Sequence, residues 1–90
     1  MKNNRKQKTV SRLRAAGIPE SAIRELYKMY ACDGDEVLTH PDPKVEGTVA
    51  LRVMTGKRTI DLLLVRGTAE FDEVEWETWP PKSGSLKFFV

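Results

Sequence analysis

His40 is the only histidine in the chain and Cys32 the only cysteine, and Asp33, Asp35, Glu36 and Asp42 lie close to them in sequence. Imidazole and carboxylates ligate divalent ions and exchange protons, so this is raw material for a metal or acid–base site. The spacing argues against one. Asp33-Gly34-Asp35 opens like a calcium loop but lacks the ligands that should follow. A lone histidine beside prolines is usually a loop residue, and many titratable groups are only structural. Cys32 as a nucleophile needs a base such as His40, and nothing in the sequence brings the two together. A small buried cysteine at a helix end is the plainer reading. The chain has no Gly-rich phosphate loop, no Walker motif and no G-x-S-x-G elbow. The expectation is therefore no enzyme, no cofactor and no metal. A small metal-dependent enzyme using Asp33, Asp35 and His40 remains the minor alternative.

Charge is the more informative chemistry. The net +2 hides a division. Residues 1–31 hold eight Lys and Arg against two Glu, a net +6, and residues 32–90 hold seven against eleven acids, a net −4. Asymmetry of this kind points to a charged partner. The basic candidates for contact with phosphate or an acidic protein face are Arg5, Lys6, Lys8, Arg12 and Arg14. Glu70, Asp72, Glu73, Glu75 and Glu77 form an acidic run. Its bland account is a solvated edge whose charges discourage edge-to-edge pairing. Its sharper account is a surface that docks on basic protein or competes with nucleic acid. Trp76 reads as core, whereas Trp79 is expected on the opposite face, as an exposed anchor of a partner site.

Ninety residues make one domain with a small but adequate core. A charged fraction of 31% and a hydrophobic fraction of 40% fit a globular rather than a disordered chain. One cysteine allows no internal disulfide, which suggests a reducing, cytoplasmic setting. The N-terminal MKNNRKQK has no apolar core of the signal-peptide kind, and the aliphatic run Leu62 to Val65 is far too short to span a bilayer, so no membrane partner is expected.

Residues 1–7 read as a flexible basic arm and 8–90 as a single α+β domain. Val10, Leu13 and Ala16 mark the inner face of a helix from about Lys8 to Ala16, which Gly17 ends. Pro19 suits the first turn of a second helix, where its missing N–H costs nothing. Ile23, Leu26, Tyr27 and Tyr30 then form one apolar stripe. The stretch AAGIPESAIRELY is similar to helix-start phrases in several bacterial DNA-binding families. Two such helices could form a helix-turn-helix, but a plain αα-hairpin capping a sheet is the more general motif.

Val49, Leu51 and Val53 alternate with other residues, as do Ile60, Leu62 and Leu64 beyond Thr55-Gly56-Lys57. Period-two alternation of this kind marks a hairpin with one buried face. A type II′ turn at Gly56-Lys57 sets Val53 against Ile60, Leu51 against Leu62 and Val49 against Leu64, and pairs Arg52 with Asp61 on the other face. A three-residue loop would bury the Asp61 carboxylate and is rejected. The other face also carries Ala50, Met54, Leu63 and Val65, which together with Phe89 suggest a cover, either a homodimer or a protein partner. Glu36 to Thr39 is a further short strand, His40 to Pro43 a stiff loop, and Gly67 to Asp72 a bulge or a break. Val74 to Trp79 and Ser85 to Val90 pair last, with Trp76 opposite Phe88, Thr78 opposite Leu86, Val74 opposite Val90 and Glu77 opposite Lys87.

The fold expected is α+β: an N-terminal αα-hairpin packed on an antiparallel β-sheet of four or five strands. The helices should cover the face lined by Val49, Leu51, Val53, Ile60, Leu62 and Leu64, with Trp76 nearby. The function expected is a small non-catalytic regulatory or inhibitor protein that binds a nucleic-acid-handling protein assembly. Size, split charge and the lack of a catalytic motif resemble in type the small phage or mobile-element proteins that include anti-restriction and anti-CRISPR inhibitors. The alternative is direct DNA or RNA binding through the basic helical head.

Overall fold

The computed structural model describes residues 4–31, 34–41, 46–81 and 86–88, with side chains for 6–31, 34–41 and 46–81. Two helices, α1 (Asn4–Ala15) and α2 (Glu20–Met29), precede the strands β1 (Glu36–Pro41), β2 (Thr48–Met54), β3 (Thr59–Val65), β4 (Phe71–Trp76) and β5 (Leu86–Phe88). The sheet is antiparallel with order β1-β2-β3-β4-β5: four strands of six or seven residues and a three-residue fifth. This is the α+β fold that the sequence predicts. No helix among the described residues is long and apolar enough to cross a membrane.

The helix pair is set by its turn. Ile18 N–H donates to the Leu13 carbonyl and Gly17 N–H to that of Arg14, at 3.1 and 3.0 Å. These are the two bonds of a Schellman ending, with Gly17 at φ 85° in the left-handed region, where a side chain would be strained. Ile18 is buried with Leu13 and joins α1 to the core. Pro19 lies just outside α2 as its cap, with extended backbone, and its carbonyl accepts the amides of Ala22 and Ile23. The sequence places Pro19 one position too far into the helix.

Helix α1 begins four residues earlier than the composition suggests. Residues 4–7, expected in a mobile arm, form its first turn. Lys6 supplies the anchor that the apolar pattern lacks, since its ammonium sits 5.0 Å from the centroid of the Tyr27 ring.

The central hairpin has the expected register: Val53↔Ile60, Arg52↔Asp61, Leu51↔Leu62 and Val49↔Leu64. Its turn differs. Gly56 does not take a positive φ, so the turn is not type II′. Thr55 Oγ1 instead accepts the amides of Lys57 and Arg58, at 3.1 and 2.9 Å, and donates to the Arg58 carbonyl. A threonine hydroxyl thus does locally what a left-handed glycine was expected to do. The face lined by Val49, Leu51, Val53, Ile60, Leu62 and Leu64 packs with Leu13, Ala22, Ile23, Leu26 and Val37 in one core.

Three expectations about the C-terminal third need correction. Strand β4 ends at Trp76 and 77–80 are bends, and Pro80 and Pro81 offer no N–H to resume a ladder. The last pairing is Val74↔Phe88, Glu75↔Lys87 and Trp76↔Leu86, a two-residue slip from the expected register. A two-residue slip keeps every side chain on its face and still sets an acid opposite Lys87, so alternation could not distinguish the two. Finally, Trp76 lies on the opposite face from the helices. It packs with Ala50, Leu63 and Val74 in a second small core. The chain's own Val74 and Trp76 therefore cover Ala50 and Leu63, which are 0% and 6% exposed. Phe89, expected on the same apolar face, lies outside the described residues.

Candidate docking surfaces

Thr9 and Leu13 turn α1 toward the core and Val10 is half-buried beside them. That leaves Gln7, Lys8, Ser11 and Arg12 outward and exposed. Lys8 and Arg12 are one turn apart on the same side of the helix. Neither side chain has an ion-pair or hydrogen-bond partner among the described residues. The segment Asn4–Ala15 contains no acid, so nothing on the helix itself neutralises them.

The other basic candidates are differently placed. Lys6 is engaged with Tyr27. Arg14 reaches across the Gly17 turn to Glu20, donating from Nε to Oε2 and from Nη2 to Oε1 at 3.1 Å. This fork raises the Arg14 pKa and holds the Glu20 carboxyl below the usual carboxylate range. Arg5 falls in the first turn of α1, and its side chain lies outside the described residues. Of the expected basic surface, then, Lys8 and Arg12 stand together and open, while Lys6 and Arg14 face the groove against α2, with Val10, Ile23 and Tyr27 below.

Trp79 is half-buried against the second core, on the same side as Trp76 rather than facing away. The guanidinium of Arg52 lies 5.2 Å from its ring centroid. Arg52 also donates Nε to Asp61 Oδ1 at 2.8 Å, and Nη2 both to Asp61 Oδ2 and to the Trp76 carbonyl, each at 3.2 Å. Asp61 Oδ2 accepts the Trp76 amide at 3.0 Å, and the Trp76 indole donates to the Leu62 carbonyl at 3.3 Å. Trp79 therefore belongs to a clamp that fixes where β4 leaves β3.

His40 is a half-buried residue of β1, opposite Ala50. Asp35 is half-buried just before that strand, and Cys32, Asp33 and Asp42 lie outside the described residues. The described residues contain no group of three or more His, Cys, Asp and Glu side chains able to hold a metal ion.

The acidic run is exposed throughout: Glu70, Asp72, Glu73, Glu75 and Glu77 all face solvent. It follows β4, whereas α1 packs against β1, so two strands separate the acidic and the basic surfaces. At about 4.8 Å per strand, that is on the order of 14 Å across the sheet.

Comparison with protein-family models, with curated proteins and with solved structures found no match for this chain.

Proposed function

We propose that this chain is a non-catalytic docking protein that acts on a nucleic-acid-handling protein assembly, with α1 as its basic contact. The observation that carries this reading is the acid-free helix presenting Lys8 and Arg12 outward without a carboxylate partner among the described residues. Among the described side chains of α1 only Lys8 and Arg12 are open, and two such charges are few for a stable hold on bare nucleic acid, where affinity grows with the number of phosphates neutralised. They suit an anionic protein face, where peripheral charges steer encounter and fix orientation. The acids along β4 further disfavour a duplex lying across the sheet. A regulatory or inhibitory role, of the kind mobile elements use against host machinery, agrees with a small domain that carries binding surfaces and no catalytic motif.

The test is capture from native-host extract with tagged chain, with and without nuclease. The reading expects a protein that stays bound after nuclease and is lost with Lys8→Glu/Arg12→Glu. Capture that requires intact nucleic acid, or submicromolar affinity for bare duplex at physiological salt, would favour direct nucleic-acid binding instead.

A further inference from the structure

A second surface has the opposite chemistry. Where α2 ends beside the start of β4, a cleft of about 420 Å³ opens. Met29, Tyr30 and Phe71 give it an apolar lining, and Glu25, Glu70 and Asp72 line it as well. No Lys or Arg is among the described residues that line it. Met29 is 58% exposed, the most of any large hydrophobic side chain among those described. Nothing in the α2 stripe requires it there, because Ala22, Ile23 and Leu26 already make the helix's buried contacts. Tyr30 and Phe71 meet edge to face, with ring centroids 6.0 Å apart, which gives the cleft a firm aromatic floor. Burial, and after it the carboxylates of Glu73, Asp72 and Glu25, push the Tyr30 phenol pKa up, as a negative local potential should.

We infer that this cleft docks a basic protein segment that inserts an apolar side chain between Met29 and Phe71 and places Lys or Arg against Glu25, Glu70 and Asp72. The occupant follows from charge complementarity. An apolar patch rimmed by polar groups marks an interaction site, and an all-acidic rim selects cations while repelling nucleic acid and acidic protein. The outward face of α1 in a second copy fits poorly, since Gln7, Lys8, Ser11 and Arg12 offer no apolar anchor. This site is independent of the α1 surface, so either can fail without the other.

The probe is a synthetic helical peptide with a leucine face flanked by Lys and Arg. Two controls accompany it: the same peptide with Ser for each Leu, and the same peptide with Glu for each Lys and Arg. Amide shifts of the wild-type chain should map its binding to Met29, Tyr30 and Phe71, which needs no variant. Affinity should fall about tenfold with Met29→Gln, which alters an exposed side chain, and about tenfold with Glu70→Gln/Asp72→Asn. Both control peptides should bind at least about tenfold more weakly. Equal binding of the Ser peptide would reduce the site to a polyelectrolyte effect and overturn the proposal. So would shifts confined to another surface, or sedimentation showing a dimer that Met29→Gln dissolves.

Discussion

The backbone N–H of Trp76 donates to the Asp61 carboxylate, 3.0 Å away, at the point where β4 has left the β3 ladder. Paired residues between these strands end at Leu62↔Glu73, so Asp61 supplies from its side chain an acceptor for an amide beyond the ladder. The same carboxylate holds Arg52 in a fork, and Arg52 reaches the Trp76 carbonyl. Asp61→Ala leaves a guanidinium whose side chain is only 22% exposed without its partner, and strands the Trp76 amide. The expected loss is about 2 kcal/mol, below that of a fully buried pair because some solvent reaches the arginine. Asp61→Asn keeps an acceptor and should lose about half as much. Urea midpoints measure both. A change under about 0.5 kcal/mol for Asp61→Ala would mean the clamp adds nothing to the stability of the fold.

The second core yields a prediction about self-association. Leu63 has the appearance of a surface residue in the alternation pattern, yet Trp76 and Val74 seal it. Trp76→Ala should cost about 3–5 kcal/mol, a large share of a small domain's stability. Leu63→Lys should likewise destabilise, because its ammonium would lie beneath the indole. Neither should break up an assembly by losing an exposed contact. A Leu63→Lys protein that melts like the wild type would place Leu63 at the surface after all.

The Arg14–Glu20 fork gives a pH dependence with a definite sign. Glu20 has a folded pKa below its usual 4.5, so its contribution is present above that value and is lost as pH falls through the folded value. The melting-temperature gap between wild type and Glu20→Gln should therefore be open at neutral pH and close in the acid range. Both side chains are exposed, so about 1 M salt should narrow it as well. Thermal melts from neutral to acid pH measure it. A gap that stays constant with pH would show that the charge on Glu20 is irrelevant.

How much of this was legible depended on whether two alternatives differed by one residue or two. In the central hairpin a one-residue slip would bury Asp61, so a single register satisfied Leu51, Arg52 and Val53 together. In the second hairpin the competing registers differ by two residues and preserve every face. Trp79 was misplaced for a related reason, since counting alternate faces past Trp76 assumes a strand where 77–80 are bends. The basic head was legible as charge but not as geometry. Residue types reveal charge, but not that Lys6 will lie over Tyr27 or that Arg14 will fold back on Glu20. The acidic cleft needs α2 and β4 side by side, a neighbourhood that only the folded chain creates.

That reduction of the basic head sets the last prediction. With six basic residues between Lys2 and Arg14, four simultaneous phosphate contacts would give a slope of about −3.6 for log affinity against log salt on duplex DNA. Lys8 and Arg12, the open cations among the described side chains of α1, contribute about −1.8, from about −0.9 per phosphate. Any binding to bare duplex should therefore be weak and should show the shallower slope. Lys8→Ala/Arg12→Ala should remove about that much of the slope and weaken all sequences alike, as contacts to phosphate do. Lys6→Ala/Arg14→Ala should leave the slope nearly unchanged and act on stability instead, through Tyr27 and Glu20. Anisotropy titrations of labelled duplex over a range of salt concentrations distinguish these outcomes. A slope near −3.6 in the wild type, reduced equally by both double variants, would mean that Lys6 and Arg14 release their intramolecular partners on binding and that nucleic acid is the direct target.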